Sequence, residues 1–488
     1  MRAAFSYLFL FCCRDYGSNG EDCILKVNKY LLNLKLEEDK YIIINLLNQK
    51  AFYCDKEVKD ALSTEHIGTL PLSILNTLKE LGIILPHDYD YIKQFQQMAK
   101  KHVLNPNQFK FYGFEIILNW NCNFACNFCI QRKNWGQRES ISHKKLQKIL
   151  EFIDMYGDKP PHVAISGGEP LLPGNYEIIE RLLRYLVEKN GELVITTNGF
   201  TLSKYLHLFE KYHSVISLIR ISIAGPQEIH DKKRVHKTGA PTFNIVFGNL
   251  KKAMKTELLP KLRIVTHFDQ ENIPYLDKWV KILLEEGILG KVPVMFSVVE
   301  NGGNINSQRF EEYKNREYIS KKLIKYFSQN KWALKYIEVD NGTGEFEIIK
   351  NIILHGVLPN VRLYSCNGLA GREAVMAPDG YVYPCVILAR EKTFRIGKYY
   401  PASEIFWDSI TKVRSRNLTT LNKCHSCPLL PICSGGCPFK DLSKKELEKV
   451  KRGLIPITDC VSCMNKGLME NEVSQLFFEF KKVMGQGG

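Results

Sequence analysis

Cys122, Cys126 and Cys129 form a CxxxCxxC array, and thiols at such spacing act as metal ligands once deprotonated. Three thiolates hold three irons of a [4Fe–4S] cluster and leave the fourth iron open to a substrate or cofactor. The competing chemistry is structural zinc, which closes its site with four protein ligands. The nearest further candidate, His143, lies 14 residues past Cys129. A second, denser array runs Cys366-x13-Gly380-x4-Cys385, then Cys424-x2-Cys427-x5-Cys433-x3-Cys437, then Cys460 and Cys463. The chain has 15 cysteines in 488 residues, yet the 236 positions between Cys129 and Cys366 hold none. A disulfide framework has no reason to leave the middle empty, so the arrays point to metal thiolates and a reducing, cytoplasmic setting. Cys12, Cys13, Cys23 and Cys54 are expected to be structural, with Cys54 at the end of a buried strand.

Alternating strands and helices must position these thiols. From Phe111 onward, short apolar runs at Phe114–Asn119, His162–Ser166, Leu193–Thr197, Val215–Ile223, Leu262–His267 and Val292–Val299 read as strands. Helical periodicity lies between them at Leu146–Tyr156, Tyr176–Lys189, Leu202–Tyr212, Thr242–Lys255 and Tyr275–Glu286. Repeated βα units give a parallel sheet with right-handed crossovers, and six units suit a partial (β/α)6 barrel of α/β class. Reactive residues belong at the C-terminal ends of such strands, and the cysteine triplet directly follows the first. Asn301–Asn304 reads as a loop, Arg309–Ser328 as a helix, and Asp441–Lys451 as a short charged helix. The stretch from Tyr364 is rich in Cys, Gly and Pro, as where metal replaces an apolar core.

Before the barrel, Leu32, Leu34 and Leu36 alternate with polar residues, a strand pattern. Tyr41–Leu47 and Ala51–Cys54 follow as two more strands. Leu72, Leu75, Leu78 and Leu81 recur behind Pro71 as a helix opened by proline, and Tyr91–Val103 reads as another. The expected division is 1–104, 105–330 and 331–488. Met1–Cys13 looks like the start of a signal peptide but lacks an Ala-x-Ala-like cleavage site, so an apolar strand or an upstream false start is expected.

Several motifs carry a resemblance. CxxxCxxC with Phe128 before its third cysteine resembles the radical S-adenosylmethionine (SAM) superfamily. Gly167-Gly168-Glu169-Pro170 ends the second strand like that family's GGEP. Two glycines let backbone approach a ligand closely, and Glu169 can accept hydrogen bonds from the SAM ammonium. Thr196-Thr197-Asn198-Gly199 resembles the TNG of the third strand. Ser222, with Gly225-Pro226, His230-Asp231 and Arg234, resembles a segment of sulfatase-maturating and peptide-modifying members. Ala224 stands where they carry an acidic residue. The resemblance implies that Ser222 and Arg234 hold the SAM carboxylate, a contact suited to a guanidinium fork. It implies reductive SAM cleavage to a 5′-deoxyadenosyl radical that abstracts hydrogen from substrate.

The C-terminal array resembles the SPASM auxiliary-cluster domain, and the N-terminal module resembles the PqqD-like peptide-recognition type. Carried over, Cys366, Cys385 and Cys437 hold one auxiliary [4Fe–4S] cluster, and Cys424, Cys427, Cys433 and Cys460 a second. The first group then lacks a fourth cysteine, and Cys463 is a spare expected to be inert. Asp340 lies where sulfatase maturases place a carboxylate, but a turn role is expected there.

The expected protein is therefore a SAM-dependent enzyme with three [4Fe–4S] clusters. It would install an oxidative modification, a thioether or other crosslink, in a ribosomally made peptide bound through its leader. An external donor such as flavodoxin or ferredoxin would supply electrons. The main alternative is an anaerobic sulfatase-maturating enzyme forming formylglycine; peptide epimerisation and RNA modification rank lower. The net charge of +15 is compatible with an RNA partner, but the SPASM pattern argues against one. No run of about 18 apolar residues suggests a membrane span.

Overall fold

The computed structural model describes residues 25–485, apart from 104, 130, 132–138, 299–308, 341 and 440–443. The apolar Met1–Cys13 stretch, Cys12, Cys13, Cys23 and the Asn301–Asn304 loop lie outside the described residues. Strands β1 (Leu25–Val27), β2 (Leu31–Glu37), β3 (Lys40–Asn45), β4 (Lys50–Asp55) and β5 (Ile84–Pro86) belong to the N-terminal module. β2, β3 and β4 form an antiparallel sheet in that order, and β1 pairs with β5. The proline-opened helix runs Leu72–Glu80 and the next Tyr91–Lys100, as the periodicity predicts. A third helix, Lys56–Ser63, is capped by the Asp55 side chain, which accepts from Val58 N.

The β2–β3 part of this sheet is buried on both faces. Leu31 and Ile43 meet the module's own helices through Val58, Leu62, Leu75 and Leu78. Leu32, Leu34 and Leu36 face the other way and join the main core with Leu476 and Phe477 of the C-terminal helix Ser474–Gly485. Each such burial contributes about 1.5–3 kcal/mol. The module is thus bolted to the C-terminal helix, 439 residues away in sequence for Ser474 Oγ, which donates to Lys35 O.

The central sheet contains β6 (Gly113–Ile117), β7 (His162–Ser166), β8 (Glu192–Thr197), β9 (Ile216–Ser222), β10 (Leu262–Phe268) and β11 (Val294–Val298). These are the six predicted strands, parallel and adjacent in chain order. Their alternate residues Phe114, Ile116, Val163 and Ile165 pack outward on the helix His143–Tyr156 and its neighbours. This is the α/β partial barrel. Two strands extend it beyond the six. β12 (Ile337–Asp340) pairs parallel with β11, so the sheet continues past residue 330. β13 (Glu373–Met376) pairs parallel with β6 on the opposite edge. The antiparallel strands β14 (Tyr381–Tyr383), β15 (Gly397–Lys398) and β16 (Glu404–Ile405) follow from it. Four-residue strands show too little periodicity to be read from sequence. Among the described residues no helix is long and apolar enough to cross a membrane.

Candidate functional site

The cysteine triplet occupies the loop leaving β6. That loop is fastened by backbone hydrogen bonds to the end of the second strand and to the segment after the helix Gln227–Lys233. Gly168 N donates to Asn119 O, Glu169 N to Asn121 O, and Ala125 N to Val235 O, while Lys237 N donates to Asn123 O. Gly167 has φ +126°, and a Cβ on Gly168 would stand 1.9 Å from Asn121 O. The close approach these glycines permit is to the chain's own cysteine loop.

Glu169 is 1% exposed, yet its carboxylate is fully engaged. It accepts from Leu171 N at 2.9 Å, Thr197 Oγ1 at 2.6 Å and Asn198 N at 2.7 Å. Burial pushes its pKa up, while those donors and Arg234 oppose the rise. The third-strand loop is thereby held against the triplet. Asn198 Nδ2 donates to Asn123 Oδ1 at 2.8 Å and lies 3.7 Å from Cys122 Sγ. Phe124 N donates to the same sulfur at 3.3 Å. Burial pushes the Cys122 thiol up to about 12, with Glu169 adding to the effect. It also raises Cys126, where Arg234 opposes it. Only a bound cation would make these buried thiols good anions.

Ser222 ends β9 and is nearly buried. Arg234 caps the helix Gln227–Lys233, and its guanidinium lies 5.2 Å above the Phe128 ring. Lys233 Nζ lies 5.3 Å from the same ring and is paired with Asp269 and Glu271. Phe128 is thus clamped beneath two cations, a favourable arrangement for an aromatic face. The His230-Asp231 pair serves the architecture. His230 Nδ1 accepts from Ala224 N at 3.3 Å, and Asp231 Oδ1 accepts from Thr242 N and Phe243 N at 2.7 Å. Burial drives the His230 pKa down to about 3, so the imidazole is neutral.

His267 was not singled out by its sequence context, although it lies one residue before the end of the fifth barrel strand, much as Ser222 ends the fourth. Burial, then Arg234, lowers its pKa to about 4. Its Nδ1, Arg234 Nε and Asn123 Nδ2 are buried without hydrogen-bond partners. Asp340 ends β12 and accepts from Gly342 N at 2.8 Å, a turn contact as expected.

The C-terminal cysteines stand on single turns. Cys385 opens the turn Val386–Leu388, and Ile387 N donates to its sulfur at 3.4 Å. Cys437 and Cys366 act on it electrostatically, and burial pushes its thiol up to about 12. Cys424 and Cys427 flank His425, whose carbonyl accepts from Tyr30 OH at 2.9 Å. Cys460 is buried among Leu388, Phe394 and Phe439, with Cys385 and Cys437 against the same cluster. Cys424, Cys427 and Cys433 pack on the main core instead. Cys463 acts electrostatically on Cys424 and Cys433. Cys460 thus lies in a different apolar cluster from Cys424, Cys427 and Cys433, with which the resemblance groups it, and Cys463 lies near Cys424 and Cys433. Arg416, also unforeseen, is buried and donates to Cys460 O, Ser434 O and Gly435 O.

A family model described as the radical SAM superfamily matches residues 116–281. The chain carries a radical SAM domain. The cysteine-type anaerobic sulfatase-maturating enzyme of Clostridium novyi (strain NT) is 24% identical over 339 residues, 65% of this chain and 85% of that one. The serine-type enzyme of Bacteroides thetaiotaomicron is 25% identical over 367 residues, 66% of this chain and 81% of its own. Among solved structures, native anSMEcpe with bound AdoMet superposes with a TM-score of 0.55 at 18% identity, covering 77% of this chain and 98% of that chain. That likeness is one of fold.

A radical SAM domain implies AdoMet and a [4Fe–4S] cluster. The residues at the barrel mouth fit both. The donor set on the cysteine loop is three thiols, and the orphaned Arg234 Nε, His267 Nδ1 and Asn123 Nδ2 are unspent polar atoms beside it. Among the described residues no three His, Cys, Asp or Glu side chains converge on a point that one ion could fill. A four-iron cube needs its thiolates spread around it.

Proposed function

We propose that this radical SAM enzyme is a maturase that installs an oxidative modification, a thioether or other crosslink, in a ribosomally made peptide. AdoMet bound with a [4Fe–4S] cluster at this site would supply the radical chemistry for removing a hydrogen atom from the peptide. The chain's own residues prepare that site. Cys122, Cys126 and Cys129 hold the cluster. Arg234 and Ser222 receive the AdoMet carboxylate, and Gly167, Gly168, Glu169 and Pro170 shape the loop that meets its amino group. Glu169 acts mainly by fixing Asn198, whose amide steadies Cys122. Phe128, pressed beneath Arg234 and Lys233, keeps water from the cluster. The ten cysteines of the two arrays, Cys463 aside, accommodate three [4Fe–4S] clusters in all. The auxiliary pair would accept the second electron, passed on or replenished through a donor such as flavodoxin or ferredoxin.

The observation that favours a peptide substrate is the N-terminal sheet. Its β2 edge is sealed by the chain's end, where Asn33 N donates to Glu470 Oε1 at 2.7 Å. Among the described residues β4 pairs with β3 alone, and Tyr53 on it is 72% exposed. An open edge captures an extended peptide by adding it to the sheet. The division 1–104, 105–330 and 331–488 then reads as peptide capture, radical generation and electron relay. anSMEcpe has also been solved with bound AdoMet and the Kp18Cys peptide, which supports a peptide substrate. The relatives' names support formylglycine formation in a sulfatase as a second reading.

The test uses the full chain, anaerobically reconstituted, with a short precursor peptide encoded beside its gene. The peptide should slow hydrogen exchange of the β4 amides, residues 50–55. It should also leave the reaction lighter by two mass units per crosslink. Formylglycine in a sulfatase peptide with no protection of β4 would favour the second reading.

A further inference from the structure

We infer that Cys460 completes the first auxiliary cluster with Cys366, Cys385 and Cys437, and that Cys463 completes the second with Cys424, Cys427 and Cys433. The inference rests on the auxiliary-cluster reading above and assigns each of the eight C-terminal cysteines to one of two four-thiolate sites. Neither an open iron in the first site nor a spare thiol in the second remains.

Three observations carry it. The first is burial. Cys460 is 2% exposed, whereas Cys463 is exposed. Cys460 is extended (φ −93°, ψ 118°), and residues 460–465 form no helix. Without a helix, the i, i+3 spacing does not bring the two side chains onto one face. The one thiol buried and the other exposed suit two clusters on either side of the segment.

The second is what surrounds Cys460. Its side chain belongs to the apolar cluster of Leu388, Phe394, Phe439 and Val450, against which Cys385 and Cys437 pack. The Arg416 guanidinium holds the Cys460 carbonyl at 2.9 Å and the Gly435 carbonyl at 2.7 Å. That pair of bonds ties Cys460 to the segment that leads into Cys437. Cys366 and Cys437 in turn act on Cys385, and Cys385 and Cys437 share the apolar cluster of Cys460.

The third is the grip on Cys433. Its sulfur lies 4.0 Å from Ser462 O, and Met464 N donates to it. The backbone on both sides of Cys463 thus touches Cys433. Cys463 in turn acts electrostatically on Cys433 and Cys424. Ser462 N donates to Gly435 O at 3.0 Å, which pins the segment between the two neighbourhoods.

The test is made in the full chain with the radical cluster as internal control. In a Cys424→Ala/Cys427→Ala/Cys433→Ala background, reconstituted protein should hold two clusters, about eight irons. Adding Cys460→Ala should then remove or convert the remaining auxiliary cluster, seen as loss of up to four irons or a three-iron EPR signal. Adding Cys463→Ala instead should change nothing. In the converse Cys366→Ala/Cys385→Ala/Cys437→Ala background the two substitutions should exchange effects. Should these variants misfold, single Cys460→Ser and Cys463→Ser substitutions in the otherwise intact chain give a second readout. Each should shift the Mössbauer and EPR spectra of a different auxiliary cluster. The reversed pattern, or the same cluster shifted by both, overturns the assignment alone. About four irons in the unsubstituted chain overturns the assignment and the auxiliary-cluster reading together.

Discussion

The triplet loop and the C-terminal cysteine region hold their thiols by different means. The triplet is fixed by long-range polar contacts. Glu169 from the second strand end, Asn198 from the third and the Val235 carbonyl beyond the fourth all converge on residues 121–125. The C-terminal thiols stand on one-turn segments such as Val386–Leu388, Asn422–Cys424 and Leu430–Cys433. Small apolar clusters and the Arg416 guanidinium join these segments. One region therefore has its geometry before metal arrives, and the other gains much of its cohesion from metal.

The largest test of that contrast removes the first region's thiols. Cys122→Ala/Cys126→Ala/Cys129→Ala should lower 5′-deoxyadenosine formation at least ~1000-fold, with the auxiliary EPR signals kept. Auxiliary signals that vanish as well would show the regions to be coupled in folding. Stripping iron with a chelator should act the other way. Hydrogen exchange across residues 366–463 should speed by about tenfold to a hundredfold, while β6–β11 change little. Equal acceleration in both would erase the difference.

Glu169→Gln should be milder. It keeps the volume but replaces one carboxylate oxygen with a donor that cannot receive Asn198 N or Thr197 Oγ1. SAM cleavage should fall by about tenfold to a hundredfold, corresponding to ~1.4–2.7 kcal/mol, with iron content unchanged. Iron loss instead would make Glu169 part of the metal-loading geometry.

The smallest effect lies at the joint between the regions, where β13 pairs with β6. Glu373 there has a pKa of about 6, raised by burial and then by Glu115. Folding thus favours its protonated form. That stabilisation is fully present below about pH 4.5 and is lost as pH rises through about 6. Glu373→Gln should add about 1–2 kcal/mol of stability at pH 7.5 and nothing near pH 4.5, measured by denaturant melts. A gain independent of pH would place its cause in packing.

Most of the barrel was legible because each strand and helix is long enough to show its own period. The ends Ser166-Gly167, Asn198 and Ser222 follow from the rule that reactive groups sit at C-terminal strand ends. The same rule applied to Leu262–His267 points to His267. β12 and β13 were hidden by their length of four residues, and the C-terminal helix by its place far from any recognised motif. Lys233 and Arg416 gave no local signal, since each matters only through what folds onto it.

The sequence by itself determined which side chains are thiols, how far apart they stand along the loops, and which strands deliver them. Those are matters of covalent reach and local periodicity. The tertiary structure decided that Glu169 organises Asn198 and that the β2–β3 part of the N-terminal sheet is buried on both faces. It also decided that Cys460 and Cys463, three residues apart, look to different neighbours. These depend on burial and on contacts between segments distant in the chain, whose partners no spacing records.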